Sequence, residues 1–168
     1  MRVMVLGASG MLGSAVFRFF KENDVHETYG VIRNASMLQY LPASTHHSIY
    51  TGVDVLDFDA LVNIVEKLRP SVVINCVGLI KQQENADDPL SVLPINAMLP
   101  HRLEKLCALS AARLVHISTD CVFSGRKGLY KESDLSDAED LYGKSKYIGE
   151  LRDYKHAITL RTSIIGHE

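Results

Sequence analysis

No apolar run in this 168-residue chain approaches the roughly 20 residues needed to span a bilayer. The longest, Val72 to Ile80, is broken by Asn75 and Gly78, so a membrane partner is not expected. The apolar N-terminus, Val3 to Leu6, runs straight into glycine and lacks the layout of a signal peptide. Cysteine is scarce: Cys76, Cys107 and Cys121 are odd in number and share no CxxC spacing. They read as free thiols in a reducing cytosol, and no metal ion is expected. A formal charge of -2 provides no basic field for nucleic acid. Internal repeats, low-complexity tracts and linkers are also missing. The composition is 46% hydrophobic and 23% charged, which is that of a globular chain, and its length fits one domain.

Short apolar runs alternate with longer amphipathic ones, the signature of βαβ units around a parallel sheet. Arg2 to Leu6 reads as a first strand, apolar enough to be buried on both faces. A helix follows from about Met11, with Leu12, Val16, Phe19 and Phe20 on its apolar face. Strands are expected at Thr28 to Ile32, weakly at Ser48 to Val53, then at Val72 to Cys76, Leu114 to Ser118 and Ala157 to Arg161. Asp57 to Arg69 has helical spacing in Leu61, Ile64, Val65 and Leu68, and Pro70 ends it. Pro89 to Ala112 is mostly helical, with Pro94 and Pro100 expected to kink or divide it. Ser124 to Asp140 reads as a surface loop and Leu141 to about Asp153 as a further helix. The expected fold is α/β: a Rossmann-type, doubly wound parallel sheet flanked by helices.

Gly7-Ala-Ser-Gly10-Met-Leu-Gly13 lies between the first strand and the first helix. In such a turn the first glycine permits the tight bend, the second lets backbone approach a pyrophosphate, and the third lets helix and strand pack closely. The residues between and after them, Ser9, Met11 and Leu12, belong to a helix start whose free N–H groups and positive dipole end suit phosphate. The end of the second strand should approach the adenosine ribose, where a carboxylate would hold the 2′-hydroxyl of NAD. Here the segment is Val31-Ile-Arg33-Asn34, with no carboxylate nearby. Arg33 can pair with a 2′-phosphate, so NADP(H) is the expected cofactor, with NAD(H) left open.

Tyr142 and Lys146 stand four apart on the helix expected from Leu141, which places both on one face. A cationic amine beside a phenol favours phenolate and lowers its pKa. A phenol so tuned can give a proton to a carbonyl oxygen as hydride reaches the carbon. Ser118-Thr119-Asp120 follows the fifth strand at its carboxyl end, where open α/β sheets bind ligands, and its hydroxyls can align a substrate oxygen.

With these residues in place, the chain resembles the extended short-chain dehydrogenase/reductase superfamily, in its dTDP-4-dehydrorhamnose reductase-like branch of sugar-nucleotide reductases. The glycine motif has the GxxGxxG spacing. Ser118-Thr-Asp-Cys-Val-Phe-Ser-Gly125 is close to an STDxVFxG signature, Tyr142-Gly-Lys-Ser-Lys146 matches YGKxK, and Leu160-Arg-Thr-Ser-Ile-Ile-Gly166 resembles an RTSxxxG segment. The resemblance implies that Thr119, Tyr142 and Lys146 are catalytic. It implies that Asp54 and Val55 lie against adenine and that Asn75, Cys76 and Val77 border the cofactor. Asn96 would support the active site, and Lys146 would also bond the nicotinamide ribose. Two departures stand near the substrate: Asp137-Ala-Glu-Asp-Leu141 where relatives have a proline and an asparagine, and Cys121 where tyrosine is common.

Relatives of this branch continue into a smaller substrate-binding region. Residues 1–168 are therefore expected to be a cofactor domain, truncated relative to full-length members, that binds cofactor with little turnover alone. The implied activity is NADP-dependent reduction of a nucleotide-linked 4-keto-sugar in polysaccharide biosynthesis. The alternatives are a non-catalytic nucleotide-binding regulatory subunit, or an epimerase or dehydratase of the same superfamily. The partner expected is a nucleotide-sugar, and a homodimer stays open. His46-His47 reads as polar loop, His116 as a packed strand residue, and Asp87-Asp88 as a helix-start signal.

Overall fold

A computed structural model of the chain describes residues 1–81 and 86–163. Six parallel strands form one sheet in the order β3-β2-β1-β4-β5-β6. They are β1 (Arg2–Leu6), β2 (Glu27–Val31), β3 (Ile49–Tyr50), β4 (Val72–Asn75), β5 (Arg113–Thr119) and β6 (Ala157–Thr162). The helices are α1 (Met11–Glu22), α2 (Phe58–Leu68), α3 (Pro89–Val92), α4 (Leu99–Leu109) and α5 (Leu141–Ile148). From β1 the chain winds one way to β2 and β3, then returns to β4 and winds the other way to β6. The reversal opens a crevice at the carboxyl ends of β1 and β4, where ligands bind in sheets of this kind.

Strand alternation divides the core into two layers. Met4 and Leu6 of β1 face α2 and α4, where Leu61, Ile64, Val65, Leu68, Leu103 and Leu106 are buried. Val3 and Val5 face the other way, against Phe17 of α1. The central strand is therefore apolar on both faces. Helix α2 matches the expected stretch to within a residue at each end, with Asp57 as its N-cap. Asp57 accepts from the Ala60 N–H at 3.1 Å, and Arg69 leaves the helix at φ 44° just before Pro70.

Four elements differ from the sequence expectation. In α1 the fully buried residue is Phe17, while Phe19 is 62% exposed. The helix comes closest to the sheet at Gly13, where a Cβ would overlap the Gly7 carbonyl oxygen, and Phe17 is one turn further along that same face. Strand β3 is only two residues long, because Gly52, at φ 78°, turns the chain away after Tyr50. The proline-bearing stretch stays helical from Pro89 to Leu109 but changes class, with a π-helical segment at Leu93–Met98 between α3 and α4. Pro94 and Pro100 each sit near the start of a segment, where a missing N–H is tolerated. Helix α5 ends at Ile148, five residues short. There Gly149 packs so closely on the π-helical segment that a Cβ would overlap the Asn96 carbonyl oxygen.

The end of β6 is tied inward by a partly buried ion pair. Arg161 meets Glu150 with two 2.7 Å bonds, and Ser118 Oγ donates to the same carboxylate at 3.1 Å. Burial pushes the Glu150 carboxyl up, but the Arg161 guanidinium and these hydrogen bonds outweigh it and hold it low. Thr162 Oγ1 donates to the Ser118 carbonyl at 3.2 Å. The Arg-Thr of the RTSxxxG segment thus fixes the carboxyl end of β5. Ile164 to Gly166 lie outside the described residues.

Candidate functional site

The glycine turn begins where β1 ends. Gly7 adopts φ 78°, and its N–H donates to the Val31 carbonyl at 3.0 Å. Gly7 and Gly13 are required by the protein's own packing. Gly10 is different: a Cβ there would meet nothing nearer than the Gly7 carbonyl oxygen at 3.5 Å, an ordinary contact. It is the N-cap of α1, and no side chain caps that helix and no acidic residue sits in its first turn. Helices α2, α3 and α5 are each capped by an aspartate, Asp57, Asp88 and Asp140. The helix that opens the crevice thus keeps unpaired N–H donors and a positive dipole end, the usual seat of a phosphate.

A cleft of about 250 Å³ runs from this turn across the carboxyl ends of the strands. Its walls include the expected Gly7, Ser9, Gly10, Arg33, Asp54, Val55, Cys76 and Val77. Arg33 is exposed at the rim. Asp54 turns one oxygen back to the Leu56 N–H at 2.9 Å, which shapes its own loop. Burial pushes the Cys76 thiol up to about 12, so it is a neutral wall residue rather than a nucleophile. Met11, Leu12 and Gly13 do not line the cleft; they form the first turn of α1 behind it. Sequence reasoning missed Val31, Ile32, Val53, Gly78, Leu79 and Ile95. The position of Val31 and Ile32 at the end of a strand beside the crevice was an available signal; nothing local marked the others.

Gly78 is where the cleft meets the second group of residues. A Cβ on it would lie 3.5 Å from Asn96 Oδ1 and 3.7 Å from Lys146 Nζ. Asn96 is buried and clamps this segment, donating to the Leu79 carbonyl and accepting from the Leu79 N–H, both at 2.9 Å. Its amide also reaches Ser145 Oγ at 3.3 Å, linking the π-helical segment to α5. Lys146 is buried, and its ammonium donates to the Ile117 carbonyl at 2.7 Å. Desolvation pulls the amine down to about 8, against the opposing pull of Glu150.

Tyr142 lies one turn earlier on α5, beside Thr119. Its phenol departs from the sequence expectation. Burial raises its pKa above the ordinary value, and the Thr119 hydroxyl and the Lys81 ammonium only partly counter this. Lys146 is not among the leading influences on it; that ammonium donates to the Ile117 carbonyl. Thr119 Oγ1 accepts from the Cys121 N–H at 3.1 Å and so caps a short 3₁₀ turn at Asp120–Val122. Gly143 packs under that turn, where a Cβ would overlap the Cys121 carbonyl oxygen. Asp140 and Asp137, at the departure from the family pattern, have local tasks. Asp140 Oδ1 caps α5 through the Gly143 N–H at 2.7 Å, and Asp137 receives the Ser124 N–H and hydroxyl.

Asn75 and His116 form the floor between β4 and β5. Asn75 Nδ2 lies 3.1 Å from His116 Nδ1, and Asn75 Oδ1 accepts from the Val77 N–H at 3.1 Å. Burial pulls the His116 imidazole down to about 3, which keeps it neutral and packed. His46 Nε2 faces the Leu38 and Leu41 carbonyls at 3.0 Å and serves its loop. Among the described residues no three His, Cys, Asp or Glu side chains gather as a metal-ligand group, and no helix is long and apolar enough to cross a membrane.

Comparison with known proteins agrees with this geometry. A family model described as the RmlD substrate binding domain matches residues 1–166. Methionine adenosyltransferase 2 subunit beta of Bos taurus is 30% identical over 170 residues, a match that covers 99% of this chain and 48% of that protein. The crystal structure of a hypothetical dTDP-4-dehydrorhamnose reductase from Sulfolobus tokodaii superposes with a TM-score of 0.78 at 31% identity, over 96% of this chain and 55% of that one. The dTDP-4-dehydrorhamnose reductase of Bacillus anthracis, solved in complex with NADP, gives a TM-score of 0.68 at 26% identity, over 88% of this chain and 47% of that one. The chain spans about half the length of the curated relatives it matches.

Proposed function

The chain belongs to the RmlD substrate binding domain family, and from that membership we propose that it is the cofactor-holding half of an NADP-dependent reductase of a nucleotide-linked 4-keto-sugar. The observation that carries this reading is the first turn of α1. It is left without a side-chain cap, and Gly10 keeps its mouth clear although the protein's own packing does not demand a glycine there. Phosphate fits such a place. Arg33, exposed at the rim, with no carboxylate near it in the Val31-Ile-Arg33-Asn34 segment, favours a 2′-phosphate and hence NADP over NAD. The solved Bacillus anthracis relative in complex with NADP supports the same choice. A dinucleotide bound here supplies hydride through its nicotinamide.

The chain's own groups do the rest. Tyr142 gives its phenolic proton to the ketone oxygen, and its raised pKa keeps that proton in place until it is needed. Thr119 orients the same oxygen. Lys146, anchored by Ile117, is a fixed cation next to Gly78 that can bond ribose hydroxyls. Most of the sugar-nucleotide pocket would come from the region by which the relatives exceed this chain, so residues 1–168 alone should bind cofactor with little turnover. A reducing cytosol suits the three free thiols, and surface polysaccharide synthesis is the setting such a product serves.

The test is Tyr142→Phe in the whole protein, assayed with NADPH and a panel of nucleotide-linked 4-keto-sugars. A loss of at least ~100-fold in kcat/KM with NADPH affinity retained is expected; wild-type turnover would remove Tyr142 from the mechanism. A second reading, a regulatory nucleotide-binding subunit, is favoured by the likeness to methionine adenosyltransferase 2 subunit beta. NADPH binding without oxidation for any sugar in the panel would select it.

A further inference from the structure

Lys81 and Asp140 join two elements 59 residues apart in the chain. Lys81 follows β4, three residues after Gly78, and Asp140 caps the start of α5. The Lys81 ammonium lies 2.6 Å from Asp140 Oδ2 and 5.6 Å from the centroid of the Tyr142 ring, within range of a cation–π contact. The Asp140 carboxylate holds the Lys81 amine above its ordinary pKa, so the charge is permanent at any physiological pH. Asp140 cannot swing freely, because its other oxygen caps α5 at Gly143, and Gly143 is itself wedged beneath the Cys121 carbonyl. Both partners are about half exposed, at 46% and 51%. Ion pairs so placed contribute little to stability, so a structural purpose does not account for this one.

The charges around Tyr142 give the pair another purpose. From the end of β5 and the turn after it come Thr119, Asp120 and Cys121; from its own helix come Lys144 and Lys146, with Asp140 at the helix start. Asp120 and Cys121 oppose a phenolate, and Lys146 is bonded to Ile117. Of the cations around the ring, the Lys81 ammonium is the leading one that favours it.

We propose that Lys81 is a positioning residue for Tyr142: braced by Asp140, it fixes the ring at the edge of the cleft and keeps a positive charge beside the group that gives up its proton. This rests on the reading of Tyr142 as proton donor. Sequence spacing pointed to Lys146 for that electrostatic task; the geometry divides the work, with Lys146 anchored below and Lys81 over the ring.

The experiment is a 19F NMR titration of the chain carrying 3,5-difluorotyrosine, whose more acidic phenol titrates in a milder pH range. The Tyr142 resonance is assigned by its loss in Tyr142→Phe. Lys81→Met should move its midpoint up by at least ~0.5 pH unit, and Lys81→Arg should restore it to within ~0.2. An unchanged midpoint in Lys81→Met overturns the proposal, as does failure of arginine to restore it. In the whole protein, Lys81→Met should lower kcat for ketone reduction more than it raises KM and shift the alkaline limb of the pH profile in the same direction as the NMR midpoint. An NMR shift in a protein that reduces no keto-sugar would refute the reductase reading, and with it the catalytic purpose of Lys81, while leaving its charge coupling to Tyr142 established. Turnover with no shift would refute Lys81 alone.

Discussion

Phe17 of α1 occupies the space that Gly30 of β2 leaves open: a Cβ on Gly30 would press on the Phe17 ring at 3.3 Å and on Ala8 Cβ at 3.0 Å. The helix is held to the sheet by that ring and by the closeness of Gly13 to Gly7. Phe17→Ala should therefore cost about 3–5 kcal/mol, while Phe19→Ala, with Phe19 62% exposed, should stay within about 0.5 kcal/mol. Urea unfolding of the two variants measures the difference. Equal losses would mean that α1 packs on another face.

Gly10 and Gly13 should separate ligand binding from architecture. Gly13→Ala drives a methyl into the Gly7 carbonyl, a backbone atom that cannot step aside, and should cost more than about 2 kcal/mol. Gly10→Ala has room, and the stability change should stay within about 1 kcal/mol. Its added methyl stands where a pyrophosphate would approach, so NADPH affinity should fall at least ~10-fold in a folded protein. Isothermal titration beside thermal unfolding reads both. An affinity at the wild-type level in Gly10→Ala would show that no phosphate approaches that turn.

Arg33 should decide between the two dinucleotides. With Arg33→Ala, NADPH should bind at least ~10-fold more weakly while NADH is nearly unaffected. The variant needs no stability correction, since Arg33 is exposed. Parallel fluorescence titrations with NADPH and NADH provide the comparison, and a loss shared by both would assign Arg33 a role other than the 2′-phosphate.

His116 should make the fold sensitive to acid. Its imidazole is held down to about 3 in the folded chain against an ordinary 6.5, with burial the main cause. The unfolded chain therefore binds a proton between these values that the folded one refuses, and stability falls as pH drops below 6.5. Between pH 7 and pH 5 this amounts to about 2 kcal/mol. His116→Gln, which keeps an acceptor for Asn75, should flatten that part of the curve in denaturant titrations at several pH values. A wild-type slope in the variant would assign the acid sensitivity to other groups.

Much of the fold was legible because its signals are local. Gly7 and Gly13, the apolar spacing from Leu61 to Leu68 and Pro70 each act within a few residues, and each does in the structure what its neighbours imply. The face of α1 was not legible. Periodicity sets Phe19 with Leu12, Val16 and Phe20 on the apolar face, but Phe17 is the buried ring, because Gly13 and Gly30, from separate elements, bring helix and sheet together there. The environment of Tyr142 was hidden for the same reason. Lys146 is close to it in sequence, but Ile117 holds the Lys146 ammonium, and the Lys81 cation arrives from a distant loop. Helix α5 ends with Gly149 as its C-cap, which lies against the Asn96 carbonyl, a contact that no local pattern announces.

The uncapped start of α1 links the protein's endurance to its ligand. An anion seated on those N–H groups would complete the helix as an aspartate completes α2, α3 and α5. A ligand that binds only the folded form adds about 2.7 kcal/mol at a hundredfold excess over its Kd. In a cell that clears unfolded chains by proteolysis, abundance of this protein would then rise and fall with the dinucleotide pool. A helix lacking one side chain would thus serve as a gauge of metabolic supply.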